Sequence, residues 1–92
     1  MKELDAASTP KLARKARLRH DRHTGTSMIV YPERGLALNA SAAAIAAKLD
    51  GTRTVRAIAE ELAGEHGGDV ETIERDVLAF VRELAARALV ER

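Results

Sequence analysis

The stretch Tyr31-Pro32-Glu33-Arg34-Gly35-Leu36-Ala37-Leu38-Asn39 decides how the rest of the chain is read. Pro32 has its φ set for the first central position of a tight turn, and Gly35 is free to take φ > 0 where the turn ends. Leu36, Ala37 and Leu38 return as a short apolar strand. Asn39 stops that strand, and its side-chain oxygen suits a helix N-cap. A second block, Leu49-Asp50-Gly51-Thr52-Arg53-Thr54-Val55, follows one helix later and joins that helix to the next. The order is therefore strand, helix, sharp turn, helix.

Towards the N-terminus the pattern alternates. Ala16, Leu18 and His20 fall on one face of a strand, with Arg17, Arg19 and Asp21 on the other. His23-Thr24-Gly25 marks a turn, and residues 27–31 form a β-branched, apolar second strand. With residues 36–38 as the third strand, the sum is a three-stranded antiparallel meander. Residues 1–10 are polar and end in Ser8-Thr9-Pro10. The expected division is a flexible basic arm over 1–15 and a folded domain over 16–92.

Towards the C-terminus the period changes to that of helices. Ala42, Ile45, Ala46 and Leu49 lie at i, i+3, i+4 and i+7, and Gly51 suits the left-handed position that ends a helix. Thr54 caps a second helix with the stripe Val55, Ile58, Ala59 and Leu62; Gly67-Gly68 breaks it, and Asp69 caps a third. The third helix, over 70–87, carries Val70, Ile73, Val77, Phe80, Val81, Leu84 and Ala88 as its main stripe. Leu78 and Ala85 lie roughly 80–100° off the centre of that stripe and widen it on one flank. Leu89 and Val90 follow and pack back on the sheet. Two short helices joined by a tight turn, a longer helix and a small sheet make an α+β domain of winged helix-turn-helix kind.

Composition limits the chemistry. Ninety-two residues make one domain with one modest core. With one Phe, one Tyr and no Trp, that core is built from Leu, Ile, Val and Ala. The absence of Cys removes disulfides, thiolate metal sites and thiol nucleophiles. No signal-like run opens the chain, and no segment approaches the roughly 20 apolar residues of a membrane span. The expectation is a cytoplasmic protein that does not bind membranes. Net charge is +1, yet unevenly spread. Through Arg22 there are seven Lys or Arg and three Asp or Glu; beyond it there are eight and eleven.

His20, Asp21 and His23 are the one cluster of metal-ligand type, and nothing in the sequence supplies the third or fourth converging ligand that zinc needs. His20 is expected as a half-buried strand residue. No Ser or Thr sits in a nucleophile elbow, and Gly67-Gly68 lacks the Lys-Ser or Lys-Thr of a phosphate loop. No enzyme, metal or cofactor is expected. A helix-turn-helix reader of DNA carries Arg, Lys, Asn or Gln along its second helix. Here Arg53 and Arg56 precede Glu60, Glu61 and Glu65, whose charge repels phosphate. Nucleic acid is not the expected partner, and a winged-helix DNA-binding or dimerisation module is the alternative.

A peptide site remains. An open strand edge beside a wide apolar helix face is a groove in which an extended peptide can add as a strand. The expected lining is Leu36, Ala37, Leu38 and Asn39 from the third strand and Val77, Leu78, Val81 and Ala85 from the third helix. Arg17 and Arg19 are expected to meet an acidic partner or an enzyme surface. The same apolar flank serves equally for a homodimer, or for packing Leu89 and the arm, so monomer and homodimer both stand.

These residues carry a family resemblance. Residues 31–39, the small-residue run Ala42-Ala43-Ala44-Ile45, and residues 49–55 with Ile58 and Leu62 resemble the PqqD family of pyrroloquinoline quinone (PQQ) biosynthesis, over about residues 17–90. The resemblance implies a RiPP recognition element, a winged-helix-like, non-catalytic peptide chaperone. Such a protein would bind the precursor peptide PqqA as an added strand against the third strand, beside the third helix. It would present PqqA to the radical SAM enzyme PqqE. The wider family also serves other leader peptides, those of lasso peptides among them. His20 stands where relatives often carry Trp, and Ser27 and Met28 where they carry bulkier apolar residues, departures that bear on sheet packing.

Overall fold

The computed structural model describes residues 4–32 and 34–91. Glu33 of the expected tight turn and residues 1–3 of the expected arm lie outside the described residues, as does Arg92. The elements run β1 (Lys11–Leu12), β2 (Arg17–Asp21), β3 (Thr26–Tyr31), β4 (Arg34–Leu38), α1 (Ala40–Ala46), α2 (Val55–His66), α3 (Val70–Ala86) and β5 (Val90–Glu91). The strands β2, β3 and β4 form the expected antiparallel meander in that order, with Leu18↔Ile29 and Ile29↔Leu36 in register. Ile29 is fully buried, so the face carrying Leu18, Ile29, Leu36 and Leu38 looks onto the helices. Arg17, Arg19, Met28, Val30, Gly35 and Ala37 take the opposite face by the two-residue alternation.

The caps follow from the residues. Asn39 Oδ1 accepts from Ala42 N at 2.8 Å, Thr54 Oγ1 from Ala57 N at 2.9 Å, and Asp69 Oδ2 from Thr72 N at 3.0 Å. Each satisfies an N–H that the first helical turn leaves without a partner. The α1 helix ends at Ala46, earlier than the stripe through Leu49 implied, because tighter turns follow: Lys48 N donates to Ile45 O and Leu49 N to Ala46 O. Leu49 still reaches the core. Gly51 takes φ +84°, though well past the helix end. A Cβ there would lie 3.2 Å from Lys11 Cδ, so Gly51 also lets the N-terminal segment pass closely.

The 1–15 segment, expected as a flexible arm, is tied to the domain over its described part. Val55 N donates to Ser8 O, Arg56 N to Ala6 O and Gly51 N to Pro10 O. Leu4 is 5% exposed and Pro10 is fully buried. The β1 strand pairs with β5 in a second, two-stranded sheet, Leu12↔Val90. Val90 therefore pairs with β1, and Leu89, fully buried, joins the core that also holds Ile29 of the meander.

Two further expectations change. His20 is exposed, and its Nδ1 lies 2.9 Å from Ser27 Oγ across the strand pair. Ala88 leaves the helical stripe: it takes φ +59° just beyond α3. Ala88 N donates to Ala85 O and Leu89 N to Leu84 O, a Schellman stop in which Leu89 packs into the core beside Leu84. No helix among the described residues is long and apolar enough to cross a membrane.

Candidate peptide-binding groove

The free edge of β4 is the first part of the site. Tyr31 and Arg34 close the β3–β4 hairpin across a two-residue loop, so they form a hydrogen-bonded pair. Bonding then alternates along the ladder. Leu36 and Leu38 turn their backbone groups to β3, and Gly35 and Ala37 turn theirs outwards. Their side chains point to the solvent face of the sheet and are small. Gly35 is not at a left-handed turn position; it sits in the strand, and a Cβ there would meet Met28 Cε at 2.9 Å. Met28 lies over that backbone on the outer face and is 37% exposed.

The second part is the flank of α3 beside β4. At one end Arg34, Tyr31 and Pro32 share a cleft with Arg87 and Lys15. At the other, Ser41, Ala44 and Ile45 of α1 share a cleft of about 220 Å3 with Ile73 and Asp76 of α3, and with Leu62, His66 and Gly67 at the end of α2. The β4–α1 segment thus runs antiparallel to α3, along the helix flank that bears Ile73, Asp76, Phe80 and Arg87. Leu36, Leu38, Ala44, Ile73 and Phe80 are half-buried against the core and make up the candidate floor of the groove.

The residues expected to line the groove divide accordingly. Leu36 and Leu38 are on the floor and Ala37 is on the edge. Asn39 has its side-chain oxygen engaged as the α1 cap. Val77 and Val81 are 0% exposed and belong to the core. Leu78 and Ala85 lie on the other flank of α3. Leu78 lines a cleft with Arg56, Glu71, Glu74 and Arg75. Arg82, on the same flank as Leu78 and Ala85, donates to Leu4 O at 3.1 Å. Among the described residues it is the N-terminal segment and the start of α2 that lie beside this flank, where Leu78 and Ala85 stay half-buried.

Sequence reasoning missed Ile73, Phe80, Ala44 and Arg87 as groove residues. Ile73 and Phe80 belong to the main stripe, and their half-burial marks them as its rim. No local signal says which rim of a helix meets a distant strand.

Charge is distributed unevenly around this site. On the α1–α2 side the cations are held: Lys48 Nζ is 3.3 Å from Glu61 and 2.9 Å from Glu65, Arg53 meets Asp50 and Glu61, and Arg56 meets Glu60 and Glu74. The hydrogen bond to Glu65 raises the Lys48 pKa above the ordinary lysine value, and the same bond lowers that of Glu65. Arg53 and Arg56, the cations a DNA reader would offer, are thus engaged by carboxylates. Arg17 and Arg19 are exposed on the outer face of β2.

Comparison with known proteins agrees with this architecture. Residues 26–90 match the family described as Coenzyme PQQ synthesis protein D (PqqD). A protein of Rhizobium meliloti (strain 1021) named "PqqA binding protein" is 39% identical over 88 residues, 96% of this chain and 90% of that one. The solution NMR structure of the PqqD truncation of Methylobacterium extorquens PqqCD, described as a functional, stand-alone RiPP recognition element, superposes with a TM-score of 0.85 at 32% identity, over 97% of this chain and 95% of that one. TbiB1, solved in complex with the TbiA(beta) leader peptide, shares the fold with a TM-score of 0.74 at 23% identity, over 88% of this chain and 94% of that one. The family match covers the hairpin, the open edge of β4 and all three helices, and with these relatives it establishes that the chain belongs to the PqqD family.

Proposed function

We propose that this protein is a non-catalytic peptide chaperone of PQQ biosynthesis that binds the precursor peptide PqqA as an added strand on β4 and presents it to the radical SAM enzyme PqqE in the cytoplasm. The observation that carries the reading is the open β4 edge at Gly35 and Ala37, set beside a half-buried apolar floor. The names of its relatives supply the peptide. Backbone pairing to the edge gives affinity, and alternate peptide side chains drop onto Leu36, Leu38 and Phe80 for selectivity. Ordering a disordered peptide consumes part of the interaction energy, so affinity is moderate for the area buried. The benefit lies in effective concentration: a peptide held at the enzyme meets its active site as an intramolecular partner. Arg17 and Arg19, on the outer face of the sheet, remain exposed when β4 is occupied and are assigned to contact with the enzyme or another acidic partner.

Titration of isotopically labelled protein with synthetic PqqA tests the reading. Expected shifts concentrate on the Gly35 and Ala37 amides, Leu36, Ala44, Ile73 and Phe80, and leave Leu78 and Ala85 in place. Ala37→Pro supplies the control. It removes one outward N–H on an edge strand, where proline is tolerated, and should abolish binding with the spectrum otherwise folded. Unchanged binding by Ala37→Pro would exclude strand addition, and no shifts at large peptide excess would exclude PqqA as the ligand.

A further inference from the structure

The open end of the sheet holds a feature that strand addition alone does not use. Lys15 before β2, Tyr31 and Pro32 of the hairpin, Arg34 at the start of β4 and Arg87 after α3 line a cleft of about 350 Å3. Three cations from three separate parts of the chain converge there, and none of the described residues that line it is a carboxylate. Arg87 meets Glu83 at 3.5 Å, an exposed pair one helical turn apart and therefore weak. For Lys15 and Arg34 no carboxylate lies within ion-pair distance among the described residues. The contrast with Lys48, Arg53 and Arg56, each held by two carboxylates, is the clue. Clustered like charges repel one another, and a bound anion relieves that repulsion.

The position of the notch gives it a task. The β4 edge offers outward backbone groups at Gly35 and Ala37 with almost no side chain, and backbone pairing by itself does not read sequence. A slip of two residues would keep every peptide side chain on its face, so register must be fixed by something else. The notch lies at the Arg34 end of that edge. A strand bonded to Gly35 reaches it within one or two residues, at about 3.3 Å per residue. Arg34 and Arg87 carry the planar fork that grips a carboxylate through two hydrogen bonds. The Tyr31 hydroxyl is a further donor.

We infer that this notch takes a carboxylate of the bound peptide and thereby sets the register of the added strand. The inference rests on the strand-addition reading above. Its test is titration of the labelled chain with synthetic PqqA and with a series in which each Asp or Glu in turn becomes the amide, plus one peptide with an amidated C-terminus. One member of the series should bind about 5- to 10-fold more weakly at low salt, with the difference shrinking as salt rises. A side-chain amide or the amidated terminus tells which carboxylate it is. Lys15→Gln with Arg34→Gln should weaken unmodified PqqA comparably, yet weaken that one peptide no further. Equal binding of the whole series, with the Gly35 and Ala37 shifts intact, overturns the notch and leaves strand addition standing. Loss of those shifts with unmodified PqqA overturns strand addition and the notch with it.

Discussion

Ala88 is the residue where the fold works against its own sequence. The Schellman stop of α3 needs a left-handed residue, and the chain supplies alanine at φ +59° where glycine is usual. The Cβ of an L-residue is crowded in that region, so Ala88→Gly should raise stability by about 0.5–1 kcal/mol, read as a higher urea midpoint at unchanged slope. A lower midpoint would mean that the strain is not there. The cap at the other end of α3 runs the opposite way. Asp69→Ala leaves the Thr72 N–H without its acceptor and should cost about 1 kcal/mol in the same assay. Both ends show what one residue can reveal. Asn39, Thr54 and Asp69 are legible as caps because capping needs one side chain and the next three residues. Gly35 reads as a turn residue for the same local reason, and is not one. What constrains it is Met28, seven positions back and across a strand pair.

The N-terminal segment poses the same problem at the scale of an element. The meander and the three helices are readable from period and punctuation, since each carries its own apolar pattern. The β1–β5 sheet carries none. Two-residue strands have no period, and the hydrogen bonds from Val55 and Arg56 to Ser8 and Ala6 are backbone to backbone, so no side chain announces them. From periodicity alone the segment reads as free and the Leu78–Ala85 flank as uncovered, which is why the sequence points to a groove there. With the segment in place, the flank that runs beside β4 is the one bearing Ile73 and Phe80, and the proposed groove lies there. Leu4 is the anchor to test. It is 5% exposed beside the far end of α3, and its carbonyl accepts from Arg82. Leu4→Ala should destabilise by about 2–3 kcal/mol, a large fraction of what so small a domain has. A change below about 0.5 kcal/mol, the range of ordinary surface substitutions, would show a loosely held arm. The same variant should leave the Gly35 and Ala37 amide shifts almost unmoved, because the arm and the groove occupy opposite flanks of α3.

At the scale of the whole molecule, three exposed carboxylates link the fold to pH. Asp50 has its pKa lowered chiefly by the Thr52 backbone N–H, then by the Thr52 hydroxyl. Asp69 is lowered by the Thr72 hydroxyl and then its N–H, and Glu65 by Lys48. Each group holds its proton less tightly folded than unfolded. Their contribution is therefore fully present above the ordinary carboxylate range and is lost as pH falls through the lower, folded values. Lys48 is shifted upward, so what it adds is present below the ordinary lysine value and fades only as pH rises through its higher, folded one. Stability should be flat from about pH 6 to 9 and should fall below about pH 4. Salt separates the causes. The Asp50 and Asp69 shifts come first from short local hydrogen bonds within a turn and a cap, which ions screen little. The Lys48–Glu65 pair is partly exposed and is screened more. The acid limb measured by urea unfolding should accordingly persist at high salt in the wild type. It should flatten in the Asp50→Asn, Asp69→Asn double variant, in which neither side chain can gain a proton on unfolding. An acid limb that vanished in salt with both aspartates in place would assign the pH dependence to the Lys48 ion-pair network that ties the end of α1 to α2.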